Sequence, residues 1–464
     1  MIVVFLHQLH DNLRSLRFQT SLIVLLLFFV GNGIVYTYKM GRALKETVQA
    51  EQSDESRYEG VETLRQAVDS HFKIRAPLTG TEFIVEAGSD WFPYGMIVSV
   101  ASGRTTDLSS ARTSNYWMRE FEVLDWTVIV RYLLSFLCIV LSYNAISGEL
   151  EGGTLRLALA NSLSRAQFLI GKFLAHLVIL VVALVLGSLV SLAILALNQV
   201  LELNWFVARC YLFFLGGAVV YIALFLLLGI GVSTVARNSA TSLVVLVMTW
   251  TVLVVVIPQT SYLIATRVVE SVGLYWERLE DYEKDYRASL EREGVAPRQP
   301  ELARTDNYDL EKRYASRMRD MEGELDRMTR EVDRQNIRQF EVARGVNLLS
   351  PGFAYQYSVE SLLGSGIYRY RNFLDQAYQY RTALREFIRG RDAADADSPH
   401  VLYLADFMSD KPIDPDDIPR FKEEPLPFAD GLAGASVPIT ILMLEAAIAF
   451  FFALRAFNRT ELSG

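Results

Sequence analysis

The chain has 464 residues, 51% of them hydrophobic and 21% charged, with a formal net charge of -8 and two cysteines. That apolar share beside that charge excludes an evenly mixed soluble domain and implies membrane spans segregated from charged segments. The negative balance and the lack of a long Lys/Arg run argue against a nucleic-acid partner, and Cys138 and Cys210, each inside an apolar run, read as buried small side chains rather than a disulfide.

Taken in order, residues 1–19 place Leu6, Leu9, Leu13 and Leu16 at three-to-four spacing, with His7, His10, Arg14 and Arg17 elsewhere around the helix. This pattern predicts an interfacial helix lying on the lipid bilayer. The apolar run 20–38 is long enough to cross a ~30 Å hydrocarbon core at about 1.5 Å per residue, and it exceeds the h-region of a signal peptide, so it reads as an uncleaved first span. Residues 39–125 form a first soluble segment. A charged helical stretch is expected to about Phe72, then strand-like runs at Phe83-Ile-Val-Glu86 and Met96-Ile-Val-Ser-Val100, separated by Gly and Pro breaks. A second span covers 126–145.

Next comes a polar loop, 146–167, carrying Glu149, Glu151, a Gly-Gly break, and Thr154 as an expected helix cap. Leu155, Leu157, Leu159 and Leu163 give the expected short helix an apolar side, leaving Arg156 and Arg165 free for phosphates or an acidic partner. Such a helix is too short to stand alone in water. Glu149-x-Glu151-Gly-Gly-Thr154-Leu155-Arg156-Leu157, followed by Asn161-Ser-Leu-Ser-Arg165 and Gly171-Lys172, resembles the acidic, GTL-containing cytoplasmic loop of ABC-2 type transporter permeases. Ser162 stands where that family commonly has proline, and Asn144 where an aspartate is frequent. The resemblance implies a coupling helix that docks into a separate ATPase subunit.

Three spans follow closely, 168–197, 207–235 and 240–262, and their short links make them antiparallel neighbours in one bundle. Gly187, Ser188 and Ser191, then Gly216, Gly217, Gly229 and Gly231, offer small surfaces for close helix packing. The larger soluble segment, 263–432, opens with Leu279, Tyr282 and Tyr286, and later Leu310, Tyr314, Met318, Met321, Leu325, Met328 and Val332, repeating at three and four residues among dense charges. The interruption at Gly294 to Pro300 predicts two antiparallel helices, either a rigid spacer or a platform for an extracytoplasmic protein partner. Leu348-Leu-Ser-Pro351-Gly-Phe353, Gly364-Ser-Gly366 and Tyr380-Arg381 resemble a pattern in ABC-2 permeases with large extracytoplasmic insertions, and 392–427, rich in Asp and Pro, reads as irregular surface. A sixth span, 433–456, leaves a tail at 457–464.

The fold class expected is therefore a mainly α, polytopic membrane protein with six transmembrane helices, a small α+β extracytoplasmic segment and a helical extracytoplasmic domain with a coiled-coil-like hairpin. Arg14, Arg17, Arg156, Arg165, Lys172, Arg237, Arg455 and Arg459 crowd near span ends on one side, against Lys39, Arg42 and Lys45 in a long loop on the other. The first side, with both termini, is expected to be cytoplasmic, in the inner membrane.

Motifs for chemistry are missing: Gly171-Lys172 is followed by Phe173 with no preceding P-loop glycine, and no H-E-x-x-H, C-x-x-C or G-x-S-x-G occurs. No catalytic residue, metal site or cofactor is expected in this chain. The family resemblance implies a permease, an exporter by expectation, pairing with a second permease copy, identical or not, and with two ATPase subunits that bind ATP and Mg²⁺. A different class remains open, in which the ATPase drives the chain as an anchor or lever for an extracytoplasmic assembly. Glu445, about 18 Å into the last span, would cost about 2.5 to 3.5 kcal/mol if charged and facing lipid. It is expected to be neutral and hydrogen-bonded, paired with Arg131 of the second span, or used for cargo or protons.

Overall fold

A computed structural model describes residues 1–86, 95–100, 106–107, 124–155, 164–236, 238–269, 272–295, 308–398, 400 and 408–460. Among them, six helices are long and apolar enough to cross a membrane: α2 (Leu16–Glu59), α4 (Trp126–Glu151), α5 (Arg165–Leu197), α6 (Trp205–Val235), α7 (Ser239–Val268) and α12 (Phe428–Arg459). A short helix, α1 (Ile2–Arg14), precedes them. Between α2 and α4 lie α3 (Leu64–Asp69), β1 (His71–Arg75), β2 (Gly95–Ser99) and β3 (Thr106–Asp107); between α7 and α12 lie α8 (Val272–Arg292), α9 (Tyr308–Asn347), α10 (Pro351–Leu362) and α11 (Gly366–Ala393).

Helix starts follow the sequence's small polar residues. Ser15, Ser164, Asn204 and Asn238 each accept a backbone N–H from the first turn of the helix they open, and Ser164 forms a full capping box with Gln167. Two of the spans contain π-helical turns, Ile129–Leu134 in α4 and Thr251–Val256 in α7, and the indole of Trp250 donates to the Ser135 hydroxyl at 2.8 Å beside both.

The spans pack through small residues and one buried amide. A Cβ on Gly187 of α5 would meet the Phe29 ring of α2 at 2.5 Å, and one on Gly229 of α6 would overlap the Ser142 hydroxyl of α4. Such positions let backbones approach closely where lipid supplies no hydrophobic drive between helices. Asn32, fully buried in α2, donates to the carbonyls of Phe83 (3.3 Å) and Leu124 (2.6 Å) and accepts from Trp126 (2.9 Å) and Ser191 (2.7 Å). One side chain thereby ties α2, α4, α5 and the segment that leads into α4.

Away from the chain termini, α2 runs on past its apolar part for a total of 44 residues. The charged helical stretch ends at Glu59 rather than near Phe72; α3 and then β1 follow, because Phe72 and Ile74 alternate inward on a strand. β1 pairs antiparallel with β2, His71 opposite Ser99, and β2 pairs with β3. The expected strand at Met96–Val100 is present as β2, whereas Phe83–Glu86 is not a strand: a turn there seats Phe83, Ile84 and Val85 in the core of the span bundle. Three consecutive buried apolar residues are compatible with either conformation by pattern alone, and the Asn32 bond to the Phe83 carbonyl fixes the turn. The expected Gly and Pro breaks at 88–90 and 93–94 lie outside the described residues.

α8 and α9 form the expected hairpin, with Leu279, Met321 and Leu325 buried between them and Tyr282, Tyr286, Met318 and Met328 packed around. The foot of α9 turns at Ser350 into α10, which lies against α6 and α12. Gly364 and Gly366, at φ +70° and +69°, then make the sharp reversal into α11 that only glycine adopts readily. α11 packs on the sheet through Phe373, Leu384 and Ile388 and on α9 through the Arg381–Asp326 ion pair.

The glycine packing gives a paired test. Gly229→Ala should lower stability in detergent by about 1 to 3 kcal/mol through overpacking, whereas Gly216→Ala in the same helix, where an added Cβ meets nothing within 4 Å, should be neutral or stabilising. Equal thermal unfolding midpoints for the two variants would contradict the close approach of α4 and α6.

Candidate functional site

The polar loop after α4 carries charged side chains at the end of the bundle that holds both termini. α4 relaxes into turns over 143–146 and closes with one more helical turn, Ser147–Glu151. The N–H groups of Ile146 and Ser147 donate to the Ser233 hydroxyl of α6 at 3.1 and 3.0 Å, so the turn is satisfied by a neighbouring span. Gly153, at φ +67°, then reverses the chain, and Leu155 is buried against Ile146, Phe168, Leu169, Ile230 and Phe457.

The described charges of the loop reach different helices. Glu149 forms an ion pair with Lys172 of α5, whose ammonium also donates to the Ala145 carbonyl at 2.7 Å; the lysine side chain is 5% exposed and the carboxylate 27%. Removing one partner of so buried a pair strands the other, a loss of about 3 to 5 kcal/mol in soluble proteins. Glu151 accepts from the Ser239 N–H (2.9 Å) and hydroxyl (2.8 Å), placing a carboxylate at the N-terminus of α7, where the helix dipole favours it. Arg165, opening α5, donates through Nη1 to the carbonyls of Phe457 (3.0 Å), Asn458 (2.9 Å) and Thr460 (3.0 Å), covering the C-terminal end of α12 with a cation. Glu149 and Glu151 thus join α4 to α5 and α7, and Arg165 joins α5 to α12.

One sequence expectation changes. Arg165, expected to be free for a partner, is engaged by carbonyls 292 to 295 residues further on, a pairing invisible in local sequence. The Thr154 hydroxyl donates to the Glu149 carbonyl at 3.4 Å, and the N–H groups that it is expected to cap lie outside the described residues. Arg156 and the expected short helix from Leu157 to Leu163 lie outside the described residues. Leu155 faces the bundle as the apolar pattern expects.

Arg131 and Glu445 are not brought together. Arg131, in the π turn of α4, is 7% exposed; it donates to Gln356 of α10 and to the Tyr132 hydroxyl (2.9 Å), and its guanidinium lies 4.3 Å from the Phe353 ring centre. Gln356 passes the contact to Glu360 at 2.7 Å, whose carboxyl burial pushes up to about 7. Sequence reading missed this chain because it connects a span to a helix 225 residues away, although the Ser350-Pro351 helix start signals α10. Glu445 is half-buried in α12, and its Oε2 has no hydrogen-bond partner among the described residues. Also among the described residues, no three His, Cys, Asp or Glu side chains gather as a metal site requires, and both cysteines are buried and unpaired.

Comparison with known proteins places this architecture. The chain is 44% identical over 81 residues to a probable ABC transporter permease protein NosY of Pseudomonas aeruginosa, and 42% identical over 77 residues to the protein of the same description in Stutzerimonas stutzeri. These alignments span 17% and 16% of this chain and 30% and 28% of the relatives. The model of the family described as ABC-2 family transporter protein matches residues 2–462. With that match running nearly end to end over a six-helix, apolar-span architecture, the chain belongs to the ABC-2 family of transporter proteins.

Proposed function

We propose that the chain is the membrane-spanning permease subunit of an ABC transporter working as an exporter, driven by ATP hydrolysis in a separate subunit. The complex would hold two permease chains and two ATPase subunits, with ATP and Mg²⁺ on the ATPases and both termini in the cytoplasm. One observation carries the reading: the acidic loop is joined by Glu149 to α5 and by Glu151 to α7, and Arg165, where the loop enters α5, ties α5 to α12. A push on that loop is delivered to four spans at once, which is what coupling requires of a subunit that has no nucleotide motif of its own. Lys172 and Arg165 hold the loop to the bundle, and Arg156 is the residue proposed to meet the ATPase. Family membership and the NosY-like stretch support the assignment.

A second reading is favoured by one specific feature. α9 continues through Ser350 into α10, which packs directly on α6 and α12, so span motion also reaches the α8–α9 hairpin and could work an extracytoplasmic partner in place of moving cargo. Reconstitution with the ATPase separates the two: a hydrolysis rate that responds to a translocated cargo supports export, and one that responds only to an added extracytoplasmic protein supports leverage.

Topology is checked by single cysteines at Ser53 and Ser316, both exposed. They should react with a membrane-impermeant thiol reagent in intact cells once any outer membrane is permeabilised, and a cysteine at the exposed Asn458 should not; the reverse pattern rejects the orientation and the coupling reading with it. Coupling is checked by Glu149→Lys combined with Arg156→Glu, and separately by Arg165→Glu. Each should leave the permease inserted but weaken ATPase association or disconnect hydrolysis from transport by at least tenfold. Wild-type complex formation and activity in both would mean that the loop charges take no part in coupling.

A further inference from the structure

At the end of the bundle opposite the acidic loop, α6 begins at Trp205, and Arg209 follows about 6 Å further in, at roughly 1.5 Å per residue. Its guanidinium lies against two rings. The Cζ is 5.5 Å from the ring centre of Phe206 on the same helix and 5.0 Å from that of Phe428, the first residue of α12. Phe428 is itself stacked on Phe213 of α6, with ring centres 5.8 Å apart and planes at 14°. Two helices thus set a planar cation against aromatic faces, which holds the guanidinium in one orientation.

The rings answer the charge only in part, because a guanidinium also carries five N–H donors. Other buried or anchoring arginines of the molecule find acceptors: Arg131 donates to Gln356, Arg165 to carbonyls of α12, Arg369 to Glu423 and Arg381 to Asp326. Arg209 makes no hydrogen bond or ion pair with any described residue, and of its nitrogens only Nε is shut away from solvent. The two Nη groups therefore form an edge that opens outward, on a residue that is half-buried as a whole. The surface around that edge is apolar. Trp205 and Leu212, about one turn before and after Arg209, and Phe428 and Leu432 on α12 are all exposed. Aromatic side chains at the end of a span mark the level of the lipid headgroups, where an arginine keeps its charge in reach of water and phosphate.

The geometry points to a phospholipid site on the seam between α6 and α12. The Nη edge of Arg209 donates to one lipid phosphate, for which its fork of parallel N–H groups is suited, and the acyl chains run inward over Leu212 and Leu432. Exposed apolar side chains on both helices, one turn deeper than the guanidinium, commit the occupant to a lipid in place of a free anion.

The test uses the full chain in detergent micelles, titrated with phosphatidylglycerol and read by native mass spectrometry. Retention of one lipid per chain is expected, with at least tenfold weaker retention of diacylglycerol, which keeps the acyl chains and loses the phosphate. Arg209→Gln should weaken phosphatidylglycerol at least fivefold. A second comparison leaves Arg209 in place. Trp205→Glu sets a carboxylate four residues before it, the order and spacing at which such side chains pair on a helix, and at a helix N-terminus, where the dipole favours an acid. That variant should keep its unfolding midpoint and bind the lipid at least fivefold more weakly than Trp205→Gln. Inorganic phosphate in large molar excess should leave the bound lipid in place, and displacement would mean that the site reads a free anion. Such displacement, equal retention of diacylglycerol, or unchanged lipid affinity in either folded Arg209→Gln or Trp205→Glu would each overturn the proposal.

Discussion

Hydrocarbon chains solvate leucine as well as another leucine does, so burial against a neighbouring helix gives little net drive within a bilayer. The arrangement of the six spans therefore depends on polar bonds made where lipid cannot compete. Asn32 is the clearest case, one amide holding two backbone carbonyls, an indole and a serine. Ser233 does the same at the opposite end by receiving the N–H groups of Ile146 and Ser147. Glycines at the crossings let backbones come close enough for such short side chains to reach.

The charged residues at the terminal end obey the same constraint with larger stakes. A helix end exposes unsatisfied carbonyls or N–H groups, and a charge of the right sign answers several at once. Arg165 answers three carbonyls of α12 and Glu151 answers the start of α7, so helix-end chemistry and mechanical connection are one arrangement. At the far end, Arg131 joins α4 to α10 through Gln356 without a carboxylate in direct contact, the neighbouring acid being one residue further along the chain of bonds.

Much of this was legible in the sequence, for physical reasons that also mark where legibility stops. The spans follow from long apolar runs, the hairpin from three-and-four spacing around Leu279 and Leu325, and the acidic loop from Glu149 to Arg165 as a polar break between spans. Local periodicity carries no information about partners hundreds of residues away, so the destinations of Arg165 and Arg131 could not be read. Phe83–Val85 was misassigned because an apolar triplet looks the same whether it pairs in a sheet or fills a bundle. β1 was hidden within a charged stretch, since only Phe72 and Ile74 face inward and both neighbours of each are polar.

The length of α9 has a consequence of its own. Its 40 residues make one unbroken rod about 60 Å long at roughly 1.5 Å per residue, standing on the Ser350 turn where α10 grips α6 and α12. For a rod of about that length, a change of about ten degrees at the foot sweeps the far tip through roughly 10 Å. A displacement as wide as a helix at the tip would thus need only side-chain-sized adjustments at the foot, unless the braces along the rod, such as the Arg381–Asp326 pair with α11, hold it.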